Sequence, residues 1–381
     1  MRAEQFSDNK TGQLVPVRGV AGASHAFLPD PLPPEWNWPN QLWPTLMAAH
    51  KALARLDGIG KHLPNPALLL RPLQTREAVR SSSLEGTYTD PQQQALFDLE
   101  PSYPESENDP VNAQREVFNY ARALRVRQEG RERLPLSLRL IRELHEVLME
   151  GVRGSDQNPG HFRTRQNQIG RPPRFVPPPA DRLGEALDKF EKYLHRESGY
   201  DPLVEAFLVH YQFEAIHPFM DGNGRVGRLL LSILIEEWCG LSNQWLYMSA
   251  YFDANRDEYI DRLFRVSTHG AWEEWIDFCL RGVLIQADDT QARCERLLEL
   301  HQDFHERVRK LKTNVRLAAI VDDLFQTPVA RVSHVAARHR VTYPTARADL
   351  KKLERAGILT ELPAGQISYF CRPIITVIHA D

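Results

Sequence analysis

The chain has 381 residues, a net charge of -3, 42% hydrophobic and 25% charged residues. This length exceeds one domain of roughly 100–200 residues, so two or three units are expected, with enough apolar content for buried cores. The near-balanced charge excludes a global field for nucleic acid or an anionic membrane, and any such contact needs a local patch.

The polar start MRAEQFSDNK lacks the apolar core of a signal peptide. The richest apolar run, Leu229 to Ile235, is far shorter than the roughly 20 residues that span a bilayer. Cys239, Cys279, Cys294 and Cys371 are scattered, without a Cys-x-x-Cys pair. They give neither a disulfide framework nor a zinc site, and a soluble, cytoplasmic protein is expected.

Residues 1–40, with Pro29, Pro31, Pro33 and Pro34, read as an extended arm that packs on other parts of the chain. Residues 41–110 read as an N-terminal helical region. Leu42, Leu46, Ala49, Leu53 and Leu56 recur at helical spacing, and Gly58 and Gly60 are expected to end that helix. A turn at Pro64 and Pro66 leads to a second helix through Thr75–Leu84, closed by Gly86, with an acidic loop over 98–110. Residues 111–311 read as a helical core. Helices are expected at Val111–Glu129, Leu136–Glu150, Arg182–Arg196, Pro202–Ile216, Gly224–Trp238, Arg256–Ser267 and Trp272–Leu311. A hairpin or extended flap is expected around Arg163–Val176. In residues 312–381, helices at Val315–Phe325, Ser333–His339 and Thr342–Leu353 precede two strands over Leu359–Val377, turning at Pro363–Gly365. That is the order of a winged helix.

The stretch Phe213–Arg228, FEAIHPFMDGNGRVGR, carries the chemistry. Pro218 ends one helix, and the loop Gly222-Asn223-Gly224 opens the next. Such a loop lets backbone N–H groups and a helix N-terminus approach an anion. Arg225 and Arg228, one turn apart, can neutralise phosphate oxygens, with Val226 and Gly227 between them in the same nucleotide-binding run. Asp221 is a hard oxygen ligand suited to Mg²⁺, and His217 can take a proton at neutral pH. The plain alternative is a helix turn with a structural histidine. The convergence of base, acid, glycines and two arginines favours the chemical reading.

His217 through Arg228 resemble the Fic family motif His-Pro-Phe-x-(Asp/Glu)-Gly-Asn-Gly-Arg-x-x-Arg at every fixed position. The resemblance implies a mainly α fold: a Fic helical core with a β-hairpin flap, between the helical N-terminal region and the winged-helix domain. It implies transfer of AMP from Mg-ATP to a Ser, Thr or Tyr hydroxyl of a target protein. In that scheme His217 is the general base, Asp221 the Mg²⁺ ligand, and Gly222–Gly224 with Arg225 and Arg228 the phosphate cradle. The stretch Gly160–Pro179 is similar to the family's flap, and Gln168, Ile169 and Gly170 are the expected docking edge for the target. Ser81-Ser82-Ser83-Leu84-Glu85-Gly86 resembles the family's inhibitory pattern, so Ser81, Glu85 and Gly86 are expected to restrain the enzyme, Glu85 by pairing with Arg228. The segment Ser249–Leu263 resembles the adenine-facing region and makes Tyr251 and Ile260 nucleotide contacts. Ile260 stands where many relatives carry a tyrosine.

Other features carry less. His301 and His305 are at helical spacing for a shared metal, but no third ligand is evident and a solvated face is favoured. Arg338, His339, Arg340, Arg347, Lys351, Lys352 and Arg355 admit DNA phosphate contact. Asp349, Glu354 and Glu361 dilute that patch, so docking or dimerisation is favoured over DNA. A homodimer through Trp272–Leu311 fits the family resemblance. Two other functional readings stay open: a DNA-binding regulator that senses ATP, and removal of AMP from a target.

Overall fold

A computed structural model describes residues 1–61, 65–129, 135–152, 158–196, 199–311, 315–362 and 367–380. The expected turn residue Pro64 and the Pro363–Gly365 turn lie outside these residues. Among the described residues the fold is mainly helical, with two small antiparallel sheets.

The N-terminal arm folds back as a ribbon of β1 (Gly12–Pro16) and β2 (His25–Pro29). A lone two-stranded ribbon is marginal in water, so it must be held from outside. Phe27 is buried with its ring 5.5 and 5.7 Å from those of Phe6 and Phe175, and its N–H donates to Val176 O at 2.8 Å. Burying each phenylalanine contributes roughly 1.5–3 kcal/mol.

Helix α1 (Trp43–Lys61) buries Leu46, Ala49, Leu53 and Leu56 as the spacing predicts. It does not end at Gly58 or Gly60. The indole of Trp245 lies where a β-carbon at Gly60 would be, so this glycine serves close packing inside the helix. Helix α2 (Ala67–Leu84) ends at Glu85 and Gly86, the latter with φ +83°. Helix α3 (Pro91–Leu99) takes the first residues of the expected acidic loop. Asp90 caps it through Gln93 N at 2.9 Å and Pro91 sits in its first turn. Helices α4 (Val111–Glu129), α5 (Leu138–Leu148) and α6 (Leu183–Leu194) follow close to expectation.

At the centre are α7 (Pro202–Ile216) and α8 (Asn223–Trp238), whose side chains are buried almost all round. Helices apolar on every face belong in a core, and these carry the motif loop between them. Helices α9 (Ser249–Ala254) and α10 (Arg256–His269) lead into α11 (Trp272–Lys310), whose 39 residues run for about 58 Å at 1.5 Å each. Helix α1 lies along α11.

The C-terminal elements are α12 (Val315–Gln326), β3 (Val329–Arg331), α13 (Val332–Arg338), α14 (Tyr343–Arg355), β4 (Thr360–Glu361), β5 (Ser368–Phe370) and α15 (Arg372–His379). The strands pair antiparallel in the order β3-β5-β4. The expected order of three helices and a hairpin is present, but the second strand stops at Phe370 instead of Val377. Pro373 starts a helix, Ile374 and Ile378 are buried on one face of it, and Arg293 caps its far end through Ile378 O and Ala380 O at 3.3 and 2.7 Å. Helix α2 packs against α12 and α15, with Pro72 and Thr75 facing Phe325 and Ile378 across a small gap.

The expected β-hairpin flap is present in minimal form, Ile169 N donating to Phe175 O at 2.8 Å and Phe175 N to Ile169 O at 3.3 Å. Over 160–179 the only ladder contact among the described residues is a single antiparallel bridge, Ile169 to Phe175. Pro172, Pro173 and Pro177–Pro179 remove the N–H donors that strands would need.

Candidate active site

His217 ends α7 in the left-handed region, φ +50°, with its N–H still bonded to Phe213 O at 2.9 Å. The carbonyls at this helix end would be orphaned. Arg163, buried beneath the flap loop, donates to His217 O at 3.0 Å, Ile216 O at 3.5 Å and Pro178 O at 2.6 Å. One guanidinium therefore ties the flap to the end of α7. Burial lowers its pKa to about 10.

The His217 ring places Nδ1 3.3 Å from Glu214 O. A carbonyl can only accept, so Nδ1 carries the hydrogen and Nε2 keeps its lone pair. Burial lowers the imidazole pKa to about 4, with Arg163 adding to the effect against the Glu214 carbonyl. The ring is thus neutral and able to accept a proton at pH 7.

The loop after His217 is held from both sides. Asn223 accepts from Phe219 N at 2.8 Å and donates to Phe219 O at 2.9 Å, closing a side-chain clamp. His145 stacks on Phe219 with centroids 3.7 Å apart; its Nδ1 accepts from Gly160 N and its Nε2 donates to Asp221 O at 3.1 Å. Gly222 sits at φ +75°, a conformation that favours glycine, and allows the chain to turn into α8. The first bond of that ladder runs from Val226 N to Gly222 O, so the N–H groups of Asn223, Gly224 and Arg225 precede it. Asp221 is exposed; its Oδ1 accepts from Gly222 N at 2.7 Å, and its other oxygen meets no donor among the described residues.

The two arginines part company. Arg228 donates to Ser81 Oγ at 2.8 Å, Ser81 O at 2.9 Å and Glu85 Oε1 at 2.8 Å. The guanidinium is buried, whereas the Glu85 side chain keeps 40% of its exposure. Burial opposes ionisation of Glu85, but Arg228 overrides it and holds this carboxyl below the usual range. Arg225 instead turns inward to Glu116 at 3.2 Å, itself bonded to Thr87 at 2.7 Å. Both partners are buried, and Arg225 does not line the cleft described below. It braces α8 against α4.

Comparison with known proteins fits this geometry. The Fic/DOC family model matches residues 135–235, and the Fic/DOC family N-terminal model matches residues 43–128. A third model, the C-terminal domain of SoFic-like protein adenylyltransferase, matches residues 300–374. The chain belongs to the Fic/DOC family.

Within this family, a Drosophila virilis protein named protein adenylyltransferase Fic is 37% identical over 106 residues, 27% of this chain and 21% of that protein. The match thus spans about a fifth of the length of such curated relatives. The Fic fold is shared with a Fic family protein from Desulfovibrio desulfuricans G20, at TM-score 0.58 and 17% identity over 89% of this chain and 98% of that one. Fic-1 from C. elegans superposes at TM-score 0.51 and 21% identity, over 65% of this chain and 72% of that one.

The Fic motif opens on a cleft of about 250 Å³. Glu85, His217, Gly224 and Arg228 form its polar end, and Ile260, Leu263 and Phe264 part of its apolar wall. Ile260 lines this cleft. Tyr251 is not among the residues that line it: it packs on Phe278, 4.9 Å between centroids, and fills the space over Gly282. Tyr259, one residue before Ile260, reaches the cleft instead and bonds His210 at 2.9 Å. Val226 and Gly227 lie inside α8. Val226 is buried, and Gly227 lets the Glu214 carboxyl approach. Of the flap residues, Ile169 lines the cleft. Gln168 bonds Gly170 O at 3.0 Å, and Gly170 takes φ +85° at the bend.

Sequence reasoning missed Glu214. This carboxyl lines the cleft, and its Oε1 is buried without a hydrogen-bond partner. Burial raises its pKa to about 7, against the pull of Arg228. Its position one helical turn before His217 was the available signal. Among the described residues no helix is long and apolar enough to cross a membrane. Of the basic C-terminal residues, Arg338 and His339 pair with Asp323, and Lys352 with Asp349.

Proposed function

We propose that the protein is an adenylyltransferase that moves AMP from Mg-ATP to a Ser, Thr or Tyr hydroxyl of a target protein, and that Glu85 restrains it. The observation that carries this reading is the pairing of a neutral imidazole, His217, with an anion cradle in one cleft. That cradle is Arg228 and the free N–H groups that open α8.

The target hydroxyl oxygen attacks the α-phosphorus of ATP as its proton passes to His217 Nε2. The bond to the bridging oxygen breaks and pyrophosphate leaves. Arg228 and the N–H groups of Asn223 and Gly224 hold the phosphates. The purine rests on the apolar wall at Tyr259, Ile260 and Leu263. The loop at Gln168–Gly170 lies beside the cleft mouth and aligns the target segment.

Asp221 fits Mg²⁺, which keeps several waters and takes one or two protein carboxylates along with phosphate oxygens. Its exposed carboxylate has one oxygen without a donor. The ion would supply positive charge against the phosphates.

Glu85 supports the restraint. Its carboxylate occupies the Arg228 fork above Gly224, the position an anionic phosphate would take. ATP must displace it or bind askew.

The experiment is mass spectrometry of purified Glu85→Gly protein after incubation with Mg-ATP, beside Glu85→Gly/His217→Ala. Addition of one AMP to a hydroxyl residue in the first and not the second is expected. Hydrolysis alone, or equal labelling of both proteins, would sink the reading.

A further inference from the structure

His301 and His305 lie on adjacent turns of α11, and α12 packs back beside that face. The residue missing from the sequence reading comes from α12. Both Nε2 atoms converge on one oxygen of Asp322, at 2.7 and 2.8 Å. The rings are 4.3 Å apart, and His301 is fixed edge-on against Phe325 at 5.2 Å. All three potential ligand atoms lie within 4.8 Å of one another.

The charge environment sets this carboxylate apart. Nearby acids are matched by arginine: Asp303 by Arg307, Asp289 by Arg293, Asp323 by Arg338. Among the described residues no lysine or arginine pairs with Asp322, whose partners are the two imidazoles. Two imidazole nitrogens and one carboxylate oxygen form a donor set for a divalent transition metal. Magnesium and calcium prefer oxygen alone.

We propose that His301, His305 and Asp322 form a transition-metal site, best suited to Zn²⁺, that clips α12 onto α11. Around four-coordinate zinc, with bonds of roughly 2.0–2.1 Å, ligand atoms stand about 3.3 Å apart. Each imidazole must then draw back from Asp322 by about half an ångström, which these partly exposed side chains permit. The fourth position is open to water. The site shares no residue with the cleft and stands whether or not the proposed transfer reaction does.

The test uses the full chain, freed of metal by chelator and titrated with Co²⁺, then Zn²⁺. One equivalent of Co²⁺ should give the visible bands of a low-coordinate ion, and one equivalent of Zn²⁺ should erase them and raise the thermal midpoint. Asp322→Asn, which keeps the side-chain shape, should weaken Co²⁺ binding at least about tenfold. His301→Ala/His305→Ala should abolish the bands. Circular dichroism checks that each variant is folded; if the double alanine variant is not, Asp322→Asn carries the comparison. The proposal is overturned if the native chain gives no bands, or if folded Asp322→Asn binds Co²⁺ as the native chain does.

Discussion

The carboxylate of Glu85 lies so close over Gly224 that a β-carbon at 224 would overlap its Oε1. This contact places a negative charge at the start of α8, where the helix end and Arg228 together favour an anion. The proposed restraint is therefore competitive in character: one acid stands in the place of another.

Glu85→Gly should tighten Mg-ATP binding and raise self-labelling. A hydrogen bond to a charged group contributes about 1.5–3 kcal/mol, so a gain of roughly 10–100-fold is expected. Calorimetric titration with Mg-ATP measures it. Affinity and self-labelling both equal to those of the native chain would remove Glu85 from the mechanism.

Gly224→Ala tests the cradle itself. The added methyl would meet both Glu85 and Arg228, the latter 2.9 Å from the new carbon. In a Glu85→Gly background it should still block AMP transfer, because the loop can no longer approach phosphate closely. Full activity of Gly224→Ala/Glu85→Gly contradicts the assignment of this loop.

Arg163→Ala removes one cation that serves four carbonyls, at positions 165, 178, 216 and 217. Those acceptors would lose their partner. Denaturant unfolding should report a loss of roughly 2–4 kcal/mol, with transfer activity falling as His217 loses its fixed backbone. A stability change under about 0.5 kcal/mol, the range of ordinary surface substitutions, would show that the clip is dispensable.

Glu77 gives a pH test. Burial raises its pKa to about 7, while Ser249, Tyr120 and Arg228 favour the ionised form. The folded chain thus holds a proton that the unfolded chain, with an ordinary value of 4.5, has released, so stability falls as pH rises from 4.5 to 7. Glu77→Gln should leave stability near native at pH 4.5 and exceed it by roughly 2–3 kcal/mol at pH 8. His210 acts in the opposite sense. Burial lowers its pKa from 6.5 to about 3, so its contribution is complete above pH 6.5 and declines as pH drops below that. Unfolding curves of Glu77→Gln and native protein at the two pH values decide the matter; a difference independent of pH counts against the buried carboxyl.

The run from His217 to Arg228 was legible because its chemistry is local. Proline, glycines, acid and base act on neighbours within a few residues. Glu85 could be matched to Arg228 from the family pattern alone, 143 positions apart. The partner of Arg225 could not, because Glu116 carries no mark of burial in its own helix. Tyr251 and Tyr259 looked alike in sequence and are both buried; only the packing of α9 on α11 separates the ring set against Phe278 from the one at the cleft. Helix α3 lacks a clear apolar stripe but had a readable start in Asp90-Pro91. The flap shows that extended composition and a paired strand differ, since its prolines leave too few donors for a ladder.

Helix α2 bears Glu85 just past one end, and its other end rests on α12 and α15 through Pro72 and Thr75. Arg76 of the same helix pairs with Asp289 of α11 at 3.2 Å. A protein shortened before residue 312 would expose that apolar flank and loosen the helix that aims the carboxylate. Such a truncation would report on a disturbed α2, and point substitutions are the sounder test of the proposed restraint.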